Sequence, residues 1–174
     1  MTAFIQRVSL LFALFIIIGD FLLLLILILA IAKIGDKFLS FLAKHSLALA
    51  CSILLAGSAG SLFYSHIAGF NPCDLCLIQR GFIFLSIGIL SLRLKHDSRA
   101  LFLLNIATVT GGVLTAAYHS YIQYGGNPLI PCSVAGTSSC ATRFIFEFGF
   151  VTIPFMSFSA FLFVFTLLLL KTNH

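Results

Sequence analysis

Hydrophobic residues run along this chain in five long blocks, with the polar residues confined mostly to the gaps between them. The blocks are Val8–Ala32, Ser46–Phe70, Leu77–Leu92, Ala100–Tyr121 and Phe148–Leu170. Four of them hold about 20 residues or more, enough to cross ~30 Å of hydrocarbon at ~1.5 Å per residue. The third is short and gains length if Gln79 and Arg80 sit at the interface. No block alternates with a period of two, and lipid tolerates no open sheet edge, so each block predicts a transmembrane helix. The one long polar segment, Ile122–Glu147, carries Gly125, Gly126, Pro128, Pro131 and Gly136 and predicts a loop. Its end, "ATRFIFEFGF", is aromatic enough to lie along the membrane surface.

Composition sharpens this picture. The 174 residues are 60% hydrophobic and 9% charged, against roughly 45–50% and about 25% in soluble domains. The chain is an integral membrane protein of single-domain size. Its net charge of +5 does not point to nucleic acid, because the basic residues lie mainly in the short gaps. Lys33, Lys37, Lys44, Arg93, Lys95, Arg99 and Lys171 fall on one side of the predicted membrane, and Arg7, Arg80 and Arg143 on the other. That asymmetry puts the N-terminus outside and the C-terminus in the cytoplasm. Residues 1–32 also resemble a secretory signal, with Arg7 before the run and "AIA" at 30–32. The three lysines after the run favour an uncleaved span.

The five cysteines sort by side. Cys73 and Cys76 follow the second block, and two crossings bring Cys132 and Cys140 back to the same outer face. Cys51 lies near the cytoplasmic start of the second block, roughly 33 Å along a helix from Cys73, and reads as a small apolar filler. The outer face is where disulfides persist, and three readings of the four cysteines stand. They are inert staples, a Cys₄ zinc site, or a redox relay. The Cys73-x-x-Cys76 spacing suits redox cycling, because so small a disulfide loop braces little. The pair also stands where a helix begins, and a helix N-terminus favours a thiolate. Arg80, four residues after Cys76, shares its helical face and serves either as a charge partner or as an interfacial anchor. "PCSVAGTSSC" is a flexible loop whose closure entropy is worth only ~2.5 kcal/mol, which suits a disulfide meant to open.

These features together resemble the DsbB/BdbC family of disulfide-forming membrane oxidoreductases. The resemblance rests on Cys73-x-x-Cys76 followed by Gln79–Arg80, the loop pair Cys132/Cys140, and "FGFVTIPFMSFSAF" at 148–161. It covers roughly Ser46–Leu170. It implies an all-α integral membrane protein of the bacterial cytoplasmic membrane, a four-helix transmembrane bundle in residues 46–174. Residues 1–45 form one additional N-terminal transmembrane helix and a cytoplasmic loop. It also implies that Cys132/Cys140 exchange with an extracytoplasmic, thioredoxin-like (DsbA-like) thiol oxidase. Cys73/Cys76 then reoxidise the loop pair and pass electrons to a membrane quinone, ubiquinone or menaquinone, lying beside Arg80. No metal is expected.

The additional helix departs from the family pattern and carries Asp20 mid-span. If lipid-facing, that residue costs about 2.5–3.5 kcal/mol, so it either hides against the bundle or serves a proton or partner contact. His66 and His119 fall near outer helix ends, as interfacial residues or within reach of a quinone carbonyl. "AGSAGS" (56–61) reads as a close helix-packing face, and Pro154 as a bend or cap of the last helix. Two other functions compete: a membrane scaffold with stapled loops, and a vitamin-K-epoxide-reductase-like enzyme. In the latter the Cys-x-x-Cys follows the loop pair in sequence, whereas here it precedes it.

Overall fold

The computed structural model of the chain describes residues 3–129 and 139–173. Five helices follow one another: α1 (Ala3–Ala32), α2 (Asp36–Leu62), α3 (Asp74–Lys95), α4 (Arg99–Gln123) and α5 (Ile153–Asn173). A π-helical turn, Phe63–Ile67, prolongs α2. Among the described residues the only extended pairing is the bridge between Glu147 and Val151. All five helices are long and apolar enough to cross a membrane, and the chain is an all-α, multi-pass membrane protein.

Helix α2 begins ten residues before the apolar block it was expected to match. Lys33 and Gly35 turn the chain in left-handed conformations, φ 55° and 81°. The polar stretch after them is still helical because its apolar positions repeat at helical spacing. Leu39, Leu42 and Ala43 are buried against Ile26 and Leu170, while Lys37 and Lys44 stay on the other face. Cys51 consequently sits in the middle of α2, not near its start, and packs half-buried against the main core. Helix α5 begins later than expected, at Ile153, because Phe148 and Gly149 adopt positive φ in a turn closed by Glu147 and Val151. Thr152 then caps it, its Oγ1 accepting from the Phe155 amide at 3.4 Å. Pro154 occupies the first turn, where a missing N–H leaves no bond unmade.

Helices α2 to α5 form a ring, α2 against α3 and α5, and α4 against α3 and α5. Its core is Leu54, Ile83, Leu90, Val109, Phe161, Val164 and Leu167. Gly112 lets α4 approach α5 closely: a Cβ there would stand 2.5 Å from the Phe161 ring. Helix α1 lies outside the ring, mainly on α5. Asp20 does not face lipid unpartnered, since the Ser159 hydroxyl of α5 donates to its carboxylate at 3.1 Å. At the end opposite the Cys-x-x-Cys, Arg93 is buried and bridges Asp97 at 2.9 Å, and Lys171 pairs with the same carboxylate.

Candidate functional site

The site lies where α2 ends, α3 starts and α4 ends. Cys73 is the N-cap of α3, with extended backbone, and its Sγ accepts from the Cys76 amide at 3.4 Å. Cys76 lies in the first turn. The two sulfurs are 3.0 Å apart and both thiols are free. A cap position presents its side chain to the unpaired amides at the helix start, so a sulfur there is stabilised as an anion by the local dipole. The Cys73 thiol is held well below its ordinary value, first by the hydrogen bond from Cys76 and then by His119, against the opposing effect of burial.

His119, from the last turns of α4, joins the cluster from the other side. Its Nε2 stands 3.6 Å from Cys73 Sγ and 3.2 Å from the carbonyl oxygen of Cys140. A carbonyl only accepts, so Nε2 carries a proton whatever the charge of the ring. Nδ1 lies 3.0 Å from the amide nitrogen of Gln79, one turn after Cys76 on α3. In the neutral ring the Gln79 N–H donates to Nδ1, which fixes the tautomer that presents Nε2–H to Cys73. His119 is therefore a donor to the Cys73 sulfur, not a base for its proton.

Cys140 is disulfide-bonded. Its sulfur, the Cys73 sulfur and a ring nitrogen of His119 all lie within 4.8 Å of one another. Cys73 is 3% exposed, and Cys140 and His119 are 1% exposed, so these groups are shielded from water. A disulfide sulfur offers no thiolate to a metal, which leaves Cys73 and His119 well short of a closed zinc site. The returning segment is pinned to α4 by Gln123, whose side-chain N–H donates to the Thr142 carbonyl at 2.9 Å, and by Arg143, which donates to the Gln123 carbonyl. Phe144 stacks on Phe70 with ring centroids 4.7 Å apart. That end of the aromatic segment is packed, while Phe146, Phe148 and Phe150 are exposed. Cys132 lies outside the described residues.

Arg80 points away from this cluster, toward α2. Its Nε donates to Ser61 Oγ at 3.1 Å, and its Nη2 donates to the Ser61 carbonyl at 3.1 Å and to Ser65 Oγ at 2.6 Å. Ser65 lies within the π turn, a distortion that often marks functional positions. Among the described residues Nη1 has no hydrogen-bond partner, and the guanidinium acts electrostatically on Cys76. Beside Ser61 opens an apolar cavity of about 480 Å³ between α1, α2 and α5. Ala56, Gly57 and Gly60 of "AGSAGS" line it, so these small residues leave a space where close helix packing was expected.

Sequence reasoning therefore brought Cys73, Cys76 and Cys140 to the same end and gave too little weight to two residues. His66 is exposed in the π turn, outside the cluster, whereas His119 is at its centre and Gln79 supports it. The available signal was parity: His119 closes the fourth block at the end where counting crossings places Cys73, Cys76 and Cys140.

Comparison with known proteins identifies the family. The family described as "Disulfide bond formation protein DsbB" matches residues 41–171. The SPbeta prophage-derived disulfide bond formation protein B of Bacillus subtilis is 38% identical over 114 residues, covering 63% of this chain and 73% of that protein. A probable disulfide formation protein of Chlamydia pneumoniae is 32% identical over 136 residues, 78% of this chain and 98% of the other. One from Oceanobacillus iheyensis is 37% identical over 122 residues, 64% and 78% of the two chains. No solved structure matches. The chain belongs to the DsbB family of disulfide bond formation proteins.

Proposed function

We propose that this protein is a quinone-dependent thiol oxidase. It takes electrons from a reduced, thioredoxin-like partner outside the bacterial cytoplasmic membrane and delivers them to the membrane quinone. The observation that carries the reading is the reduced Cys73 sulfur within 4.8 Å of the disulfide-bonded Cys140 sulfur, in a pocket closed to water. An inert staple has no use for a free thiolate aimed at it.

The relay follows from who faces whom. The partner's dithiol is oxidised as the Cys132–Cys140 disulfide is reduced, which leaves Cys140 as a nucleophile facing Cys73. Attack of Cys140 on the Cys73–Cys76 disulfide forms the Cys140–Cys73 bond, breaks Cys73–Cys76, and releases Cys76 as a thiolate on the side of Arg80. Cys132 then displaces Cys73 from Cys140, which restores the loop disulfide and leaves Cys73 and Cys76 reduced. His119 stabilises Cys73 as leaving group in that last exchange, because its Nε2–H is aimed at the departing sulfur.

A bound quinone supplies the oxidant, accepting two electrons and two protons as Cys73 and Cys76 rejoin. The residues present fit such a molecule. The cavity beside Ser61 is almost wholly apolar, and Arg80, joined to it through Ser61, would bring a cationic donor toward a carbonyl oxygen at that edge. The seven-to-three division of basic residues supports placing the cysteines outside.

The test is the variant Cys132→Ala. With the thiol that displaces Cys73 gone, attack of Cys140 on the Cys73–Cys76 disulfide should stall as a Cys73–Cys140 mixed disulfide, detectable by peptide mapping under non-reducing conditions. A Cys76–Cys140 link in its place would refute the order of exchange.

A further inference from the structure

We infer that α1, which lies outside the family match at residues 41–171, is a wall of the quinone pocket whose Phe12, Phe15 and Ile16 hold the prenyl tail. This rests on the quinone reading above and extends it to a helix that the family resemblance does not cover.

The cavity exists because two unlike surfaces face each other. From α2 come Ala56, Gly57 and Gly60, and from α1 come the bulky Phe12, Phe15 and Ile16. A Cβ on Gly57 would meet nothing within 4 Å, and one on Gly60 would meet only the Phe12 ring, at 3.8 Å. Without α1, this side of the pocket would open onto lipid. Helix α1 is also fixed along its length. Phe12 packs edge-on against Tyr64, with centroids 6.0 Å apart. Asp20 accepts from Ser159, and Ile26 is buried with Leu39 and Leu170. It is a positioned wall, not a loose anchor.

The pocket also has a direction. Helix α1 runs away from the cysteine end and α2 runs toward it, so Ile16 and Gly57 lie about one turn, ~6 Å, deeper than Phe12 and Ser61. Ser61, which accepts from Arg80, lies at the shallow end. A molecule with a polar ring and a branched apolar tail fits ring-first at Ser61, with its tail between α1 and α2. A lipid acyl chain shares the tail's chemistry but brings no ring to that edge.

The chain has no tryptophan, so a single one introduced on α1 reports binding, because quinones quench indole fluorescence. The experiment uses full-length purified Phe12→Trp, titrated with quinones of one ring type carrying no tail, two prenyl units or a longer tail. Saturable quenching that tightens with tail length is expected. Phe21→Trp, on an exposed face of α1, should show only non-saturable quenching by partition. Gly57→Leu and Ile16→Phe, each in the Phe12→Trp background, fill the deep end from opposite walls. Each should raise the half-saturating concentration of tailed quinones about tenfold and leave the tailless one unchanged. Quenching without tail dependence, or filling variants that weaken tailed and tailless quinones alike, would overturn the inference, lipid occupancy being one way to that result. Saturable, tail-dependent binding by a protein whose Cys73–Cys76 pair is never reoxidised would instead remove the quinone-oxidation reading and leave the wall standing.

Discussion

Replacing His119 isolates the electrostatic part of the proposed relay. Its Nε2–H is 3.6 Å from Cys73 Sγ and is shared with the Cys140 carbonyl at 3.2 Å. A hydrogen bond to a charged group is worth about 1.5–3 kcal/mol. The long, divided geometry argues for the lower end, and the near-complete burial of Cys73 means solvent does not screen it further. At ~1.4 kcal/mol per pKa unit, His119→Ala should raise the Cys73 pKa by about one unit. The sign for the redox couple follows. Losing a bond to the thiolate destabilises the reduced form, so the Cys73–Cys76 disulfide becomes harder to reduce, by ~30 mV. Stability of the reduced protein should move too. A thiol whose folded pKa is lowered stabilises the fold fully above its unfolded value, about 8.5, and loses that contribution as pH falls through the lowered value. The variant should therefore gain less stability as pH rises. The assays are thiolate absorbance of the reduced protein against pH and equilibration of the pair in thiol redox buffers. His119→Gln, which keeps an N–H, should shift less than His119→Ala. An unchanged titration midpoint in folded His119→Ala would refute the reasoning.

The remaining expectations are more direct. Arg80→Ala should weaken apparent quinone affinity roughly ten- to a hundredfold, one charge-assisted bond, while exchange with the partner persists. Arg80→Lys should recover part, since it keeps the charge but loses the planar fork, and equal affinities in all three would reduce Arg80 to a brace for Ser61 and Ser65. Labelling of cysteine variants in intact cells should find positions 37 and 95 protected and Cys76, once reduced, reactive from outside; reactivity at 37 would remove the orientation. Gly112→Ala should lower the thermal midpoint by overpacking against Phe161, ~1–3 kcal/mol, and Phe161→Leu should relieve it. A neutral Gly112→Ala would mean that α4 and α5 are not in contact there.

The five helices were legible because each apolar block had to be a helix in lipid, whatever its neighbours did. Boundaries were less legible, for a local reason. Asp36–His45 carries enough charge to look like a gap, yet its apolar residues keep helical spacing and bury against α1 and α5. Cys73, Cys76 and Cys140 could be brought together by counting crossings, since parity needs no side-chain detail. Parity applies equally to His119, but a histidine at a helix end has no sequence mark that distinguishes a lipid-facing position from one buried between Gln79 and Cys140. The cavity was hidden for a related reason. Small residues at helical spacing, as in "AGSAGS", signal either close contact or open space, and only the bulk of Phe12 and Ile16 opposite decides between them.

In the proposed relay, the Cys-x-x-Cys spacing at the start of α3 accounts for how one pair would serve two unlike partners. Cys73 is in the cap and Cys76 in the first turn, so the sulfurs are 3.0 Å apart while their other neighbours differ. Cys73 faces His119 and Cys140, in a protein interior where the proposed donor of electrons is the reduced Cys132/Cys140 pair. Cys76 lies one turn before Arg80 and is only half-buried, on the side where Ser61 borders the apolar cavity. Had both thiols faced Cys140, the oxidant would have had to enter the exchange pocket and displace the loop. Had both faced the cavity, the loop would have had to reach hydrocarbon. On that reading, splitting the pair across a helix start would keep thiol exchange dry and the quinone in lipid, with two electrons crossing between them as the Cys73–Cys76 bond is broken and remade.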